Sequence, residues 1–310
     1  FFDFCNEVIT DEGYFMHKYL TDRSLGSSWH PWIRDGKPEL PIQEDETALV
    51  IIALKNHFEI SKDLEFIETI YNSLIKKATD FLIAYRDKET LLPKPSYDLW
   101  EEKFGVHTFT CASVFGALVA AGEFADLLGK DADAKHYREV ALEIRDAILK
   151  YLYGSEGYFY KSITFRGEKT EIDKTCDFSS AYGMFRFGCL DIDDERLNKA
   201  FKVSQERLTV KTEVGGIVRY EDDYYFRISQ EVTGNPWFIT TLWMAEYQIA
   251  KAKSLEELEK IKKCFDWIVK HSLPSGIMSE QLNPFTGEQI SAAPLTWSHS
   301  EFIITVMQYL

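Results

Sequence analysis

The chain has 310 residues, of which 45% are hydrophobic and 15% aromatic, so it can bury a sizeable core and is not a disordered protein. Its formal net charge is -15, and no cluster of lysines and arginines interleaved with aromatic residues is visible. This charge pattern argues against nucleic acids and anionic membranes as partners, whereas a neutral ligand is indifferent to it.

Apolar residues at steps of three and four predict a series of helices. In chain order they are predicted at residues 1–9, 43–59, 63–86, 107–129, 131–153, 176–187, 194–209, 236–252, 255–272 and 298–310. The helix at 107–129 is apolar almost all round, which predicts deeper burial than its neighbours have. Ser254 and Glu257 have the spacing of a capping box at the start of a helix. Tyr158–Tyr160 and Tyr224–Phe226 are predicted to be short strands in loops.

Short connections between some helices, such as 129–131 and 252–255, alternate with long loops elsewhere. Short links form helical hairpins, and long links collect on one face. The pattern therefore favours an all-α fold of the (α/α) barrel type, in a single catalytic domain over residues 1–310. An irregular helical bundle is the alternative.

The cysteines and histidines point to no cofactor. The five cysteines are scattered and none belongs to a C-x-x-C pair, so neither a disulfide framework nor a zinc site is expected. The seven histidines show no H-E-x-x-H spacing, so no metal is expected, and His30 and His299 are interpreted as packing or hydrogen-bonding residues.

No apolar run approaches the roughly 20 residues that span a bilayer, and no signal-peptide pattern is visible, so the expected compartment is the cytoplasm. The chain begins with Phe1 and not with Met, and we expect it to be part of a longer protein.

Several loop segments combine aromatic residues with acids, amides and arginine. They are residues 26–32, 97–102, 219–223 with 234–238, and 279–281 with 295–298. A pyranose has apolar faces and polar hydroxyls, so its binding sites combine flat aromatic rings with carboxylates, amides and arginine. Cleavage of a glycosidic bond also requires a protonated carboxyl and an ionised carboxylate. Taken singly, an acid pair such as Glu101 and Glu102 is more often solvated or helix-capping, and a tryptophan is more often a core anchor.

The ordered set of motifs resembles the glucoamylase family, glycoside hydrolase family 15, from Gly26 to Trp297. The matching motifs are Gly-Ser-x-Trp at 26–29, Gln-x-Asp at 43–45, Tyr-Asp-Leu-Trp-Glu-Glu at 97–102, Arg-Tyr with trailing acids at 219–223, Gly-Asn-Pro-Trp-Phe at 234–238, Ser-Glu-Gln at 279–281 and Leu-Thr-Trp-Ser at 295–298. The resemblance implies an (α/α)6 barrel whose loops form a closed pocket for the non-reducing end of an α-glucan.

The same resemblance implies roles for individual residues. Glu101 would be the general acid and Glu280 the general base of a single, inverting displacement. The residues implied to bind substrate or to support the acid are Trp29, Asp98, Trp100, Glu102, Arg219, Trp237 and Trp297. We expect burial and the neighbouring Glu102 to raise the pKa of Glu101, and we expect the two catalytic carboxyls to lie roughly 6.5 to 9.5 Å apart.

The chain departs from the family pattern at two places. Residues 32–35, Trp-Ile-Arg-Asp, have the same pattern as the family's glucose-binding Trp-x-Arg-Asp element. They follow Trp29, however, whereas the family's element lies before that tryptophan, at the start of the first barrel helix. We interpret the match at residues 32–35 as a coincidence. We expect the first barrel helix, and an upstream β-sandwich domain, to precede Phe1. The spacing leaves open which of Glu221, Asp222 and Asp223 supports Arg219, with Asp222 preferred.

The predicted activity is an exo-acting, inverting release of glucose from α-1,4-linked glucans or oligosaccharides. A trehalase or an α-1,6 glucodextranase of the same family is one alternative, and a non-catalytic carbohydrate-binding or regulatory module is another. The expected partner is an oligosaccharide or polysaccharide substrate. The sequence leaves the linkage, the chain length and the oligomeric state undetermined.

Overall fold

A computed structural model describes residues 1–28, 30–34, 36–166 and 169–310. The chain forms two compact units, each built from several segments. Unit 1 contains Phe1–Tyr153, Ser162–Asp173 and Phe187–Cys189, and unit 2 contains Gly154–Lys161, Lys174–Arg186 and Leu190–Leu310.

The helices of unit 1 follow the predicted series. They are α1 (Phe2–Val8), α2 (Glu44–Ser61), α3 (Leu64–Ile70), α4 (Lys77–Ala84), α5 (Thr108–Leu127) and α6 (Asp131–Tyr151). A six-residue π-helical segment, Tyr71–Lys76, joins α3 to α4, so the helix predicted at 63–86 is one helical stretch with a locally wider turn.

Helix α5 forms the centre of unit 1. It packs against α6 and α2, and nearly all of its residues are buried, as its all-round apolar sequence predicted. By length and composition alone, α5 could cross a membrane, although its sequence contains no continuous apolar run of that length. In this structure, however, 89% of its most apolar 18-residue stretch is buried inside the protein. Such burial is ordinary for the core helix of a globular unit.

The helices of unit 2 also follow the predictions. They are α7 (Phe178–Arg186), α8 (Glu195–Leu208), α9 (Phe238–Lys251), α10 (Leu255–His271) and α11 (Thr296–Tyr309). The Ser254 side chain accepts a hydrogen bond from the Glu257 backbone N–H at 3.2 Å, which confirms the predicted cap. The Glu257 carboxylate accepts from the Lys253 N–H and not from that of Ser254, so the capping box is displaced by one residue.

The strands are short and lie mainly in the long loops. They are β1 (Ile33–Arg34), β2 (Lys37–Pro38), β3 (Ser96–Tyr97), β4 (Phe104–His107), β5 (Tyr160–Arg166), β6 (Lys169–Cys176), β7 (Gln281–Leu282) and β8 (Gln289–Ile290). One sheet has the order β3-β4-β5-β6, and the pairs β1-β2 and β7-β8 are separate. The sequence predicted only the start of β5, because this segment is rich in charged residues and shows no clear alternation.

The predicted strand at Tyr224–Phe226 was wrong. These residues form a turn in which Phe226 has a left-handed φ of 53° and the Tyr225 N–H donates to Asp223 Oδ1 at 3.0 Å. A side-chain acceptor that captures a nearby backbone N–H favours a turn over a strand.

The core of unit 2 fixes the loop that carries the Ser-Glu-Gln motif. Its buried apolar side chains come from the loop after α8, from α9 and α10, and from the two residues that flank that motif, namely Val214, Phe238, Leu242, Ile268, Met278 and Leu282. Because Met278 and Leu282 flank the motif on either side, the apolar core holds the segment between them in place.

Candidate active site

In unit 1, the Tyr-Asp-Leu-Trp-Glu-Glu motif forms the tip of the β3-β4 hairpin. Tyr97 pairs with Phe104, and the Asp98 N–H donates to Lys103 O at 2.9 Å, which closes the loop. The Glu101 N–H donates to Asp98 O at 2.8 Å, and Glu101 has a left-handed φ of 61°. A positive φ is costly for a residue with a Cβ atom, so the surrounding hydrogen bonds must maintain this geometry at Glu101.

Asp98 supplies much of that support. It is buried, and its Oδ1 accepts hydrogen bonds from the backbone N–H groups of Glu102 at 2.7 Å and Lys103 at 3.0 Å. Its backbone carbonyl accepts from Gln43 Nε2 at 3.3 Å, which ties the hairpin tip to the start of α2. Asp98 therefore fixes the loop that carries Glu101, while its implied part in catalysis stays a prediction.

Glu101 lies where a carboxyl can keep its proton. Its side chain is 36% exposed, and partial burial is the main cause that raises its pKa. His17 acts in the opposite direction, while the carboxylates of Glu46 and Asp98 raise the pKa further. The direction agrees with the expectation from sequence. The contributing carboxylates, however, are Glu46 and Asp98 where Glu102 was expected.

His17 was not singled out in the sequence, yet it contacts the predicted acid. Its Nδ1 lies 2.8 Å from Glu46 Oε1, and its Nε2 lies 3.4 Å from Glu101 Oε1. The hydrogen bond to Glu46 is the largest cause that raises the pKa of His17. No local pattern marks this histidine, because its two partners come from α2 and from the β3-β4 hairpin.

His30 packs beside His17 and is a packing and hydrogen-bonding residue, as the sequence predicted. Its ring stacks on Tyr97 at 3.9 Å between centroids, and its Nε2 lies 3.0 Å from Gln43 Oε1. Burial lowers the pKa of His30, so it is a neutral packing and hydrogen-bonding residue at neutral pH. In unit 2, His299 is also a hydrogen-bonding residue, and its Nε2 accepts from the Met278 N–H at 3.2 Å.

Trp29 and Trp100 are the two tryptophans of unit 1 that were predicted to bind the sugar. Trp29 lies outside the described residues, and its sugar-lining role stays a prediction. Trp100 is 8% exposed, so the part of its indole that could meet a ligand is small.

The Trp-x-Arg-Asp look-alike is described as far as Arg34, since Asp35 also lies outside the described residues. Arg34 Nε donates to Glu39 Oε2 at 2.8 Å, and its guanidinium lies 3.2 Å from the centre of the Phe104 ring. Both contacts are within the protein, and the interpretation of this element as a chance match stays a prediction.

In unit 2, Arg219 is held by Asp223. The guanidinium Nε donates to Asp223 Oδ2 and its Nη2 donates to Asp223 Oδ1, each at 2.8 Å, and both residues are buried. The preference for Asp222 as this partner was wrong. Asp222 has a left-handed φ of 57°, and this turn directs its side chain away from Arg219 and into solvent. Its Oδ1 lies 3.4 Å from Arg227 Nη2.

Aromatic rings surround the buried guanidinium of Arg219. Its Cζ lies 4.5 Å from the Trp237 ring centre and 5.1 Å from those of Tyr220 and Tyr225. A guanidinium over such rings gains a cation–π interaction in addition to its ion pair. The structure thus brings together Arg219 and Trp237, two of the residues predicted to bind the sugar.

The predicted base, Glu280, directly precedes β7 and is partly buried. Its backbone N–H donates to Ala292 O at 2.9 Å. Its Oε2 accepts hydrogen bonds from the Ser291 hydroxyl and, at 3.3 Å, from Gln281 Nε2. These two hydrogen bonds fix the orientation of the Glu280 carboxyl.

Two of the sequence motifs meet at Gln281. Asn235 Nδ2 donates to Gln281 Oε1 at 2.8 Å, and the Leu282 N–H donates to Pro236 O at 2.9 Å. Trp237 and Gln281 also form an isolated antiparallel bridge. The Gly-Asn-Pro-Trp-Phe and Ser-Glu-Gln motifs are therefore neighbours, which their separation in sequence did not reveal.

The Leu-Thr-Trp-Ser motif lies beside the same segment. Ser298 Oγ donates to Ser279 O at 2.8 Å, so the start of α11 is fixed to the residue that precedes Glu280. Trp297 is partly buried, and its ring packs edge-to-face on Trp243 at 5.8 Å.

Each unit thus carries one of the two predicted catalytic carboxyls, Glu101 in unit 1 and Glu280 in unit 2. Among the residues that the structure describes, no group of three His, Cys, Asp or Glu side chains is arranged to hold a metal ion. The expectation that catalysis needs no metal stays a prediction.

The family model described as glycosyl hydrolases family 15 matches residues 35–307 of the chain. The chain belongs to glycosyl hydrolase family 15. An uncharacterized glycosyl hydrolase of Methanocaldococcus jannaschii is 31% identical over 99% of the chain and 46% of its own length. A trehalase of Sulfolobus acidocaldarius is 23% identical over 87% of the chain and 42% of its own length.

A solved structure of a bacterial glucoamylase complexed with acarbose has a TM-score of 0.76, with 24% identity over 99% of the chain and 45% of its own length. This similarity confirms the predicted fold class, the all-α (α/α)6 barrel type of the family. The chain spans a little less than half the length of these three proteins.

Proposed function

We propose that this chain carries the catalytic residues of a glucoamylase-like enzyme that releases glucose from the non-reducing ends of α-1,4-linked glucans. Glu101 acts as the general acid and Glu280 as the general base. The observation that carries the proposal is the contrast between their surroundings. Burial raises the pKa of Glu101, while Glu280 accepts hydrogen bonds from Ser291 and Gln281.

The chemistry requires this contrast. As the glycosidic bond breaks, the leaving oxygen gains negative charge, so a proton donated by Glu101 lowers the barrier. An ionised Glu280 removes a proton from a water molecule that attacks the anomeric carbon from the opposite side of the ring. Because the water adds in one displacement, the product anomer is inverted.

The buried Arg219 group supports recognition of the sugar. Two hydrogen bonds to Asp223 orient the guanidinium, and Trp237 supplies an apolar face beside it. Trp237 is 2% exposed and Arg219 is 3% exposed, so, like Trp100, they offer a ligand little surface, and their contribution is to hold the loops beside the sugar in place.

A second candidate substrate is trehalose, since one relative in the family is a trehalase. Trehalose also carries an α-linked glucose, so the same acid and base would serve both reactions. The two substrates differ in the leaving sugar, which Glu102 is proposed to contact.

One experiment tests the catalytic pair. Glu101→Gln and Glu280→Gln, made in the protein at its natural length, should each reduce turnover of maltooligosaccharides by several orders of magnitude while leaving thermal unfolding nearly unchanged. Glu288→Gln is a matched control, because Glu288 is exposed on the loop that follows β7. Wild-type rates in either of the first two variants would refute the assignment.

A second experiment tests stereochemistry and substrate together. Proton NMR spectra recorded immediately after enzyme is added to maltotetraose, and separately to trehalose, report which sugar is cleaved and which anomer appears first. From maltotetraose we expect β-glucose first, and from trehalose equal amounts of β-glucose and α-glucose, because the leaving sugar of trehalose keeps its α configuration. Initial release of α-glucose from maltotetraose, or of α-glucose alone from trehalose, would exclude the single displacement, and cleavage of trehalose alone would assign the second candidate.

A further inference from the structure

In unit 1, the His17 side chain lies between the carboxyl groups of Glu46 and Glu101. Glu46 Oε1 lies 2.8 Å from His17 Nδ1, and His17 Nε2 lies 3.4 Å from Glu101 Oε1. The imidazole thus faces a carboxyl with each of its nitrogens. The side chain of His17 is 6% exposed and that of Glu46 is 22% exposed, so these two groups are largely shielded from solvent.

The backbone around His17 holds its segment to the rest of the unit. The Phe15 N–H donates to Thr47 Oγ1 at 3.0 Å, and the Met16 N–H donates to the Tyr19 hydroxyl at 2.8 Å. Because Thr47 follows Glu46 on α2, the same short stretch of helix fixes both the backbone beside His17 and its Nδ1. The ring of His30, 4.8 Å away, packs against it.

This arrangement leaves His17 Nε2 as the group that meets Glu101. A carboxylate that accepts from one imidazole nitrogen fixes the ring and favours its protonated form, and the second N–H then points at the next acceptor. The distance from Nε2 to Glu101 is long for a hydrogen bond, as catalytic contacts often are without substrate.

We propose that His17, oriented by Glu46, is a positioning residue that holds the Glu101 carboxyl toward the bond to be cleaved and sets how readily it releases and regains its proton. The proposal rests on the assignment of Glu101 as the general acid. An inverting acid loses its proton once in each turnover, and a neighbouring imidazolium stabilises the carboxylate that remains until water restores the proton.

The charged groups near Glu101 act in opposite directions. Burial raises its pKa and His17 lowers it, while Glu46 and Asp98 raise it and Lys18 lowers it. His17 in turn is affected by Glu46, Glu101 and Lys18, and the pKa of its neighbour His30 is itself lowered by burial. Removal of the His17 cation therefore leaves influences on Glu101 that mainly favour its protonated form.

The test replaces His17 by asparagine in the protein at its natural length and follows two readouts. Glu101 should titrate at a higher pH in His17→Asn than in the wild type, as measured by NMR of carboxyl-labelled glutamate with Glu101→Gln used to assign the signal. In the rate profile, the alkaline limb of kcat for maltotetraose should move to higher pH. The plateau of kcat should fall about ten- to a hundredfold with little change in KM, because the acid is less well placed.

His136→Asn is the matched control, since His136 is an exposed residue of α6 in the same unit. It should leave both readouts unchanged. A Glu101 titration that is the same in His17→Asn and in the wild type would overturn the proposal, because a merely structural histidine would lower activity without moving that titration.

Glu46→Gln provides a second route in case His17→Asn does not fold. The variant keeps the shape of the side chain and removes its charge, so the His17 ring should titrate at a lower pH than in the wild type. An unchanged His17 titration would contradict the role of Glu46. If the wild type cleaves neither maltotetraose nor trehalose, the proposed function fails while the NMR titrations still decide whether the three groups are coupled.

Discussion

Arg219 and Asp223 lie four residues apart and are joined by two hydrogen bonds of 2.8 Å in the interior of unit 2. Both side chains are nearly inaccessible to solvent, so neither charge can be satisfied by water if the other is removed. Loss of one partner from a buried ion pair costs far more than the pair itself contributes.

The first prediction concerns this pair. Asp223→Asn should reduce the free energy of unfolding by about 3 to 5 kcal/mol, because the Arg219 charge stays buried without its counter-charge. Urea unfolding followed by tryptophan fluorescence measures the loss. Sugar binding should weaken as well, since the guanidinium is no longer fixed by two bonds.

Asp222→Asn is the matched control for Asp223→Asn. Its side chain is exposed and its φ of 57° is one that Asn tolerates as well as Asp does. We expect a change of less than about 0.5 kcal/mol. Equal losses in the two variants would mean that the ion pair does not stabilise the unit.

The second prediction concerns the hydroxyl that donates to the proposed base. Ser291→Ala removes a donor to Glu280 Oε2. The kcat should fall about tenfold, because one hydrogen bond to a charged group contributes about 1.5 to 3 kcal/mol and part of that orients the carboxylate. Ala and Ser have the same Cβ cost at the left-handed φ of 67° found here. Ser291→Cys, which keeps a weak donor on an unbranched side chain, should retain more activity than Ser291→Ala in the same kinetic measurement.

The third prediction concerns Asn235, which links two motifs. Its Nδ2 donates to Gln281 Oε1 and to Phe226 O, each at 2.8 Å, and it is 1% exposed. Asn235→Asp keeps the shape but turns the donor into an acceptor that faces two oxygens. We expect a loss of at least about 2 kcal/mol in the free energy of unfolding. Asn56→Asp, an exposed position on α2, should change it little, and similar values for both would refute the linking role.

The fourth prediction concerns pH and the buried acid at the start of α2. Burial raises the pKa of Glu44 from 4.5 to about 8, so the folded state holds a proton that the unfolded state releases. Its contribution is therefore fully present below about pH 4.5 and declines as pH rises through the folded value, by about 1.4 kcal/mol per pH unit for one group.

Glu44→Gln isolates this effect, since glutamine does not titrate. The variant should become progressively more stable relative to the wild type between about pH 4.5 and 8, with a constant difference above that range. Thermal or urea unfolding at a series of pH values measures the difference. Glu65→Gln, exposed in the first turn of α3, is the control. A difference that does not vary with pH would show that Glu44 is ionised in the folded protein.

The helices could be predicted closely because their signals are local. The apolar stripe of α6 and the cap at Ser254 are properties of adjacent turns, and these elements begin and end within a few residues of the predicted positions. The strands β5 and β6 could not be predicted in the same way. Strand pairing is a contact between separate segments, and residues 160–176 lack the alternation that marks a half-buried strand.

The motifs identified which residues to examine, but not how they are connected. Glu101 and Glu280 were chosen from the sequence motifs that contain them. The structure adds that each side chain contacts residues from other segments of the chain. His17 and Ser291 had no signal of their own. Their relation to the two glutamates arises from contacts across a helix and a loop, which no spacing in the sequence encodes.

The sequence by itself determined the family, the helical fold class and the two candidate carboxyls, because apolar periodicity and short ordered motifs are readable along the chain. Only the tertiary structure decided that Asp223 and not Asp222 pairs with Arg219, and that His17 lies between Glu46 and Glu101. The physical reason is that the left-handed φ of Asp222 turns its side chain to solvent, while burial and charge at Glu101 depend on groups brought from distant segments.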